Sequence, residues 1–275
     1  QEALKEIIAK YTREAGLRNL EREIGNVCRK VARKIAEGHK RQIKITPAMV
    51  ATLLGAAKFL RDDEMDKNEV GVVNGLAWTS VGGEVLHIEA TTMAGKGGMA
   101  LTGQLGDVMK ESVQAALAYI RSHGSEFHIN PDWFQENEIH VHVPAGAVPK
   151  DGPSAGCAMA TALISVLTKV AVRKDVAMTG EISLRGKVLP IGGLKEKILA
   201  AVRAGMKTVI IPEQNRKDLE DIPKEMQKKV KIVPVKEIDE VLKLALEKFP
   251  IPAPKGKAKP ATPKVVVRPS KEISA

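Results

Sequence analysis

Aromatic residues, cysteines and long apolar runs are all scarce in this chain of 275 residues. Aromatic side chains make up only 3% of it, so we expect a core of aliphatic residues. No stretch approaches the length of a membrane-spanning helix, and no signal peptide is evident. The two cysteines, Cys28 and Cys157, lie far apart in apolar helical patterns. We therefore expect two reduced core residues of an intracellular protein rather than a disulfide framework.

Two kinds of binding motif are also missing. A phosphate-binding loop of the form G-x-x-x-x-G-K-[ST] does not occur, because the glycine-rich stretch 95–98 lacks both its spacing and its final Ser or Thr. We therefore expect no ATP hydrolysis by this chain alone. Neither H-E-x-x-H nor C-x-x-C occurs. His140 and His142 would share one face of a strand, but no third ligand has a recognisable spacing, so no metal site is expected.

The net charge of +10 is concentrated at the two ends of the chain. Residues 1–50 contain twelve Lys or Arg against six Asp or Glu, and residues 251–275 contain six against one. Such basic ends are typical either of nucleic-acid contact or of solvated surface. They leave open one alternative for the whole chain, a non-catalytic basic module that binds nucleic acid or serves assembly. No aromatic stacking platform or recognised nucleic-acid motif accompanies the charges.

Hydrophobic patterning divides the chain into four parts. These are a small, mostly helical module (1–57), a charged linker (58–69), the main domain (70–249) and a basic, proline-rich tail that we expect to be disordered (250–275). In the module, the alternation at 43–45 predicts a short strand. Thr46 followed by Pro47 is typical of a helix start. Because the chain begins with Gln1, we expect a piece of a longer protein.

The main domain lacks a regular alternation of strands and helices, which predicts an α+β fold. Strands are predicted at about 70–78, 83–92, 98–102, 139–143, 175–179, 182–189, 208–211 and 231–235. Helices are predicted at about 105–122, after Ser154, at 193–204 and at 237–247.

The loop PKDGPSAG at residues 149–156 carries the chemistry. Its run of Pro and Gly ends at Ser154, and a small, apolar run that predicts a buried helix follows. Ser154 is therefore either a simple N-cap or a nucleophile at a helix N-terminus. The string G-P-S-A-G also fits the nucleophile elbow of α/β-hydrolases, but that fold requires a histidine after the serine. No histidine follows Ser154. If Ser154 is a nucleophile, its base is therefore an upstream histidine or a residue other than histidine. A Ser–Lys pair is an established arrangement, and Lys195 or Lys197 could supply the lysine.

Several motifs resemble one known family in order and at length. They are GLAWT (75–79), GQLGDVMKES (103–112), EIHVHVP (138–144), PKDGPSAG (149–156), MTGEI (178–182) and LRGKVLPIGGLKEK (184–197). Together they resemble the A-type Lon protease over roughly residues 1–248. The resemblance implies a Lon-type serine-lysine protease domain preceded by the end of an AAA+ helical subdomain. It also implies that Ser154 is the nucleophile and that Lys197, rather than Lys195, is its partner.

The same resemblance implies supporting roles for other polar residues. Thr179 would hold the neutral lysine amine, although a β-branched strand residue is the alternative. His142 and Glu89 would assist near the dyad. Asp151 would shape the loop or occlude Lys197 in an inactive state, unless it is only a turn aspartate.

Two further residues are candidates for a functional role. Arg18, in GLRNLER at residues 16–22, would be a nucleotide-sensing arginine by resemblance, with an ordinary surface arginine as the alternative. Cys157 is the rival nucleophile, but a packing role is favoured because it follows one turn into an apolar helix.

The resemblance implies hydrolysis of peptide bonds through an acyl-enzyme. In that family, ATP-driven unfolding feeds unfolded or damaged proteins into a homohexamer that serves protein quality control. ATP and Mg would act in the full-length protein, with no cofactor in this chain. The expected location is the cytoplasm, with the mitochondrial matrix as the alternative. DNA is a further expected partner through the basic regions, and no membrane is expected to take part.

Overall fold

The structure, a computed structural model, describes residues 1–14, 16–38, 42–59, 67–79, 82–144 and 150–251. Its helices are α1 (Glu2–Tyr11), α2 (Arg18–Ala36), α3 (Pro47–Leu54), α4 (Asp107–Ser122), α5 (Trp133–Glu136), α6 (Gly156–Thr168), α7 (Leu194–Arg203), α8 (Lys224–Gln227) and α9 (Ile238–Ala245). Its strands are β1 (Val72–Thr79), β2 (Gly82–Ala94), β3 (Met99–Thr102), β4 (Asn137–His142), β5 (Val176–Met178), β6 (Glu181–Ile182), β7 (Val188–Leu189), β8 (Thr208–Pro212) and β9 (Lys231–Val235). Two 3₁₀ helices cover Pro153–Ala155 and Glu213–Asp221.

Helices α1, α2 and α3 pack around a small core of their own. It is formed by Ile7, Tyr11, Val27, Val50 and Leu53. The helix start predicted at Thr46 is confirmed, because the Thr46 hydroxyl accepts a hydrogen bond from the Met49 N–H at 3.4 Å. This bond satisfies one of the unpaired donors at the first turn of α3.

Two expectations for this region are wrong. The stretch 43–45 is irregular rather than a strand, since it pairs with no other strand in the described residues. Cys28 is exposed and not a core residue. Val27 is on the buried side of α2, and the next residue along a helix lies about 100° further round, which turns Cys28 towards solvent.

Within the described residues, seven strands form one mixed sheet in the order β3-β4-β2-β1-β5-β8-β9. Strands β1, β5, β8 and β9 run parallel to their neighbours in that group, while β2 is antiparallel to both β1 and β4. Helices α4, α6 and α9 cover one face, and α7 covers part of the other. Successive side chains of β8 point to opposite faces of the sheet. Ile210 packs on the face covered by α4, α6 and α9, while Val209 and Ile211 pack on the face covered by α7. The α+β prediction is confirmed.

Some elements differ from those predicted. The single strand expected at 182–189 is a hairpin of β6 and β7, because Gly186 has a φ of +77° and turns the chain back. Helices α5 and α8 and the 3₁₀ helix Glu213–Asp221 were not predicted. Residues 60–66 of the expected linker and 252–275 of the expected tail lie outside the described residues. No helix in the described part of the chain is long and apolar enough to cross a membrane.

The fold brings four segment ends to one edge of the sheet. Parallel strands β1 and β5 both end there, and α6 and α7 both begin near it. Helix α7 can lie directly on β2 because Gly83 has no side chain; a Cβ there would come within 2.0 Å of the Glu196 carbonyl oxygen. Carboxyl ends of parallel strands and amino ends of helices commonly form binding sites in α/β sheets.

Candidate active site

Ser154 lies in the 3₁₀ helix Pro153–Ala155, which leads directly into α6. The N-cap alternative for Ser154 is wrong. Ala155 holds the N-cap position of α6, and no side chain makes a capping hydrogen bond there. The Ser154 side chain is half-buried beside the first turn of the helix, where the dipole is positive. An oxyanion at this point would be stabilised.

The backbone of Ser154 is fastened to the connection that follows β5. Its carbonyl oxygen accepts hydrogen bonds from the Gly180 N–H at 2.9 Å and from the Thr179 hydroxyl at 3.2 Å. The Cys157 N–H, one turn later, donates to the Gly180 carbonyl at 2.9 Å. A Cβ at Gly180 would lie 2.8 Å from the Cys157 sulfur, so a larger residue would force the two segments apart.

Lys197 is a buried lysine on the first turn of α7. Its side chain and backbone are only 2% exposed. Burial lowers the pKa of Lys197 to about 8, because a charged amine is poorly solvated there. At pH 7 roughly one molecule in ten then carries a neutral amine, against fewer than one in a thousand for a lysine of ordinary pKa. Lys195, by contrast, is exposed.

Thr179 connects the lysine to the serine. Its side chain is buried, with 1% exposure, and its oxygen accepts a hydrogen bond from Lys197 Nζ at 3.2 Å. The same hydroxyl donates a hydrogen bond to the Ser154 carbonyl oxygen. In the described residues, Lys197 Nζ donates a hydrogen bond to Thr179, and no hydrogen bond joins Nζ to Ser154 Oγ. Direct contacts between catalytic groups often tighten only when substrate binds.

Ser154 and Lys197 line one cavity of about 660 Å³. Its walls include the apolar side chains of Leu76, Leu86 and Met109. A cavity of this size is large enough for several residues of an extended peptide. The arrangement places a hydroxyl, a helix N-terminus and a buried amine of lowered pKa on the wall of a partly apolar cleft.

Asp151 also lines the cavity, but its carboxylate faces another helix. Its Oδ1 accepts hydrogen bonds from the Met109 N–H at 3.0 Å and from the Gly152 N–H at 2.8 Å. No ion pair joins Asp151 to Lys197 within the described part of the chain. The loop-shaping alternative of the sequence analysis therefore fits this geometry, and the occluding one is not the arrangement seen.

His142 and Glu89 lie elsewhere on the sheet, directly opposite each other on β4 and β2. His142 Nδ1 lies 2.6 Å from Thr102 Oγ1, and His140 Nε2 lies 2.9 Å from the same oxygen. Glu89 is exposed. Neither His142 nor Glu89 lines the cavity, so the structure does not bring these two to Ser154 and Lys197.

Arg18 is the first residue of α2 and is exposed on the helical module. It does not line the cavity. In the described residues, no group of three or more His, Cys, Asp or Glu side chains could hold a metal ion.

The rival nucleophile Cys157 is a packed thiol. It is 1% exposed, and burial raises its pKa to about 12, so the reactive thiolate is almost absent near neutral pH.

Lys150 and Trp78 are among the cavity residues that the sequence analysis did not single out. Lys150 lines the cavity, and its pKa is lowered, mainly by burial and also by Arg13. Trp78, at the end of β1, is 62% exposed and packs against Gly193, where any Cβ would lie 2.9 Å from its side chain. Both lie in motifs that the sequence analysis quoted, so their place in those motifs could have identified them.

Comparison with known protein families assigns both parts of the chain. The model of the Lon protease (S16) C-terminal proteolytic domain matches residues 44–248, and that of the Lon protease AAA+ ATPase lid domain matches residues 1–44. The chain belongs to the Lon protease family. This confirms the resemblance seen in the sequence. The two Lon models meet at residue 44, whereas α3 packs with α1 and α2 in one core, so the boundary expected at residue 57 stays a prediction.

Similar curated proteins carry the same family name. The Lon protease of Trichlorobacter lovleyi is 97% identical over all 275 residues, which cover 34% of that protein. The Lon protease of Geobacter metallireducens is 71% identical over 260 residues, 94% of this chain and 32% of that protein. That of Desulfovibrio desulfuricans is 59% identical over 245 residues, 89% of this chain and 28% of that protein. The chain thus spans about a third of the length of these Lon proteases.

Proposed function

We propose that this chain is the proteolytic part of an ATP-dependent serine endopeptidase that hydrolyses peptide bonds in unfolded or damaged proteins. The observation that carries the proposal is the buried amine of Lys197. It shares a cavity with the Ser154 hydroxyl and is held by Thr179, whose hydroxyl is bonded to the Ser154 carbonyl. Family membership supports peptide hydrolysis as the reaction.

The proposed reaction has two halves. Neutral Lys197 takes the proton from Ser154 Oγ, and the oxygen attacks the substrate carbonyl carbon. Backbone N–H groups near the start of α6 stabilise the resulting oxyanion. The peptide C–N bond then breaks, and the Lys197 ammonium returns its proton to the leaving amine. In the second half, Lys197 takes a proton from a water molecule, and the water oxygen attacks the ester carbonyl carbon. The bond from that carbon to Ser154 Oγ then breaks, the Lys197 ammonium returns the proton to Oγ, and the carboxylic acid leaves.

ATP has no direct part in these steps. The sequence has no phosphate-binding loop, and Arg18, the proposed nucleotide sensor, is exposed. ATP and Mg would therefore act elsewhere in the longer protein, to unfold substrates and to feed them into a homohexamer. A cytoplasmic location and DNA contact through the basic ends belong to the same proposal.

The full chain can be tested on three substrates, with and without ATP: a fluorogenic peptide, an unfolded protein and a stably folded protein. We expect slow, ATP-independent cleavage of the first two, with the folded protein left intact. Ser154→Ala should abolish cleavage and labelling by a fluorophosphonate probe. Ser125→Ala, at an exposed serine outside the cavity, is the matched control and should behave as wild type. Near-wild-type turnover by Ser154→Ala, or strict ATP dependence of peptide cleavage, would contradict the proposal.

A further inference from the structure

The segment between β7 and α7 forms part of the cavity without belonging to a helix or a strand. Its residues Pro190, Ile191 and Gly192, the wall segment, line the cavity together with Lys197. Within the described residues, no backbone–backbone hydrogen bond joins the wall segment to another part of the chain. Irregular segments without such bonds usually move more than the elements that they connect. This one therefore needs another support if the cavity is to keep its shape.

Asn215, in the 3₁₀ helix Glu213–Asp221, supplies that support. Its Oδ1 accepts a hydrogen bond from the Ile191 N–H at 2.9 Å, and its Nδ2 donates one to the Ile191 carbonyl at 2.8 Å. An amide side chain can do both because it carries a donor and an acceptor. Asn215 is only 2% exposed, so water has little access to these bonds. Both backbone groups of one residue are thus satisfied from a single side chain 24 residues away.

Asp218 fixes which way the amide of Asn215 points. Its Oδ2 accepts a hydrogen bond from Asn215 Nδ2 at 2.6 Å. An ionised carboxylate can only accept hydrogen bonds, so the nitrogen of the amide has to face it. The amide oxygen is then left for the Ile191 N–H, as observed.

The helix that carries Asn215 is anchored independently of the wall segment. Ile222, its C-cap residue, is 1% exposed and packs in the same hydrophobic cluster as α7. Gln227 Nε2 donates hydrogen bonds to the carbonyls of Leu219 and Ile222, both at 2.8 Å. Asn215 therefore joins a fixed helix to a segment that has no backbone support of its own.

We propose that Asn215 is a positioning residue for the substrate peptide: it holds the wall segment as a fixed surface of the cavity against which the peptide lies. The inference rests on the proposed function, peptide hydrolysis at Ser154. Asn215 itself does not line the cavity. Lys197 is held separately, because Leu194 and Ile198 of the same helix are buried in the core. Loss of Asn215 should therefore weaken peptide binding and leave the activation of Ser154 intact.

Two rates measured on the full chain separate these effects. Hydrolysis of a fluorogenic peptide requires the peptide to be held, whereas labelling of Ser154 by a small fluorophosphonate probe requires only an activated serine. Asn215→Ala should lower kcat/KM for the peptide about threefold to tenfold, mainly through KM, since that is the usual cost of ordering one or two mobile groups on binding. The labelling rate should stay within about twofold of wild type.

Asn215→Asp tests the hydrogen-bond pattern at nearly constant shape. It keeps an acceptor for the Ile191 N–H but places acceptors against the Ile191 carbonyl and against Asp218. We expect kcat/KM to fall at least as far as in Asn215→Ala, because unpaired buried acceptors are costly. Adding Asp218→Asn restores a donor between the two side chains and should recover part of kcat/KM.

Asn137→Ala is the matched control. Asn137 also donates its amide to a backbone carbonyl, that of Trp133 at 2.9 Å, but it lies outside the cavity. Both rates should therefore remain those of wild type. Circular dichroism checks that each variant folds.

Four outcomes would overturn the inference: wild-type kcat/KM in Asn215→Ala, a fall in labelling as large as the fall in peptide hydrolysis, an equal fall in Asn137→Ala, or no recovery when Asp218→Asn is added to Asn215→Asp. Should Asn215→Ala fail to fold, Asn215→Asp with and without Asp218→Asn decides the question by the same two rates. If Ser154→Ala stays active, the proposed function fails. If Ser154→Ala is inactive while Asn215→Ala cleaves the peptide as wild type does, only the role of Asn215 fails.

Discussion

Two polar clusters in this chain contain ordinary titratable side chains but differ in how deeply those side chains are buried. At the cavity, Lys197 and Thr179 are almost fully buried, and the lysine pKa falls to about 8. On β3 and β4, Thr102 bonds two histidines on a partly open face of the sheet. Both clusters contain a threonine hydroxyl that bonds a titratable nitrogen, yet only the first lies beside Ser154.

The difference shows that burial can change whether a given type of side chain can act as a base. Histidine is usually the better base at neutral pH because of its ordinary pKa, and lysine is the poorer one. Burial of Lys197 on α7 reduces this disadvantage, because a lowered pKa leaves more of the amine neutral and able to accept a proton from a hydroxyl. Position in the fold, and not residue type, therefore selects the base.

The largest expected effect comes from removing that base. Lys197→Ala and Lys197→Arg should both lower kcat by about 10²- to 10⁴-fold, the usual contribution of a general base. Arginine keeps the positive charge but cannot give up its proton near neutral pH. Peptide hydrolysis by the purified variants, with circular dichroism to check folding, is the measurement.

Lys195→Ala is the matched control for that prediction. Lys195 is exposed two positions away on the same helix, so its loss should change kcat by less than about twofold. Equal losses in Lys195→Ala and Lys197→Ala would show that the wrong lysine has been assigned.

Sequence patterning found most of the architecture but could not choose between these lysines. Both precede the same apolar run, and the choice depends on the phase of α7 and on its close approach to β2 at Gly83. The contact between Asp151 and Met109 was equally hidden, because it joins segments 42 residues apart through a backbone donor. The strand predicted at 43–45 was wrong for a different reason. An alternating apolar pattern does not form a strand unless another strand is available to pair with it.

A smaller effect is expected at Thr179. Thr179→Val keeps the shape but removes the hydroxyl that accepts from Lys197 Nζ. We expect kcat to fall about tenfold to a hundredfold, because the amine is no longer held in place. The pH–rate midpoint should also move to lower pH, since an acceptor stabilises the ammonium form more than the amine. Thr179→Ser, which restores the hydroxyl, should recover most of the rate; an unaffected Thr179→Val enzyme would rule out the bridge.

The smallest effects are expected in the histidine cluster. His142→Ala removes a hydrogen bond to Thr102 and should reduce the free energy of unfolding by about 1 kcal/mol. It should leave the pH–rate midpoint of peptide hydrolysis unchanged, because His142 does not line the cavity. Glu89→Gln, at an exposed neighbour, should change neither quantity. A displaced midpoint in either variant would mean that this cluster takes part in the chemistry.

The most direct test of the account is the pH dependence of Ser154 labelling by a fluorophosphonate probe in the full chain. Below the pKa, Lys197 is protonated and cannot accept the serine proton, so the rate should rise with pH and level off above a midpoint near 8. Lys197→Arg should show slow labelling without this midpoint. A wild-type profile that is flat across the pKa of Lys197, or a midpoint that survives in Lys197→Arg, would contradict the claim that a buried lysine activates Ser154.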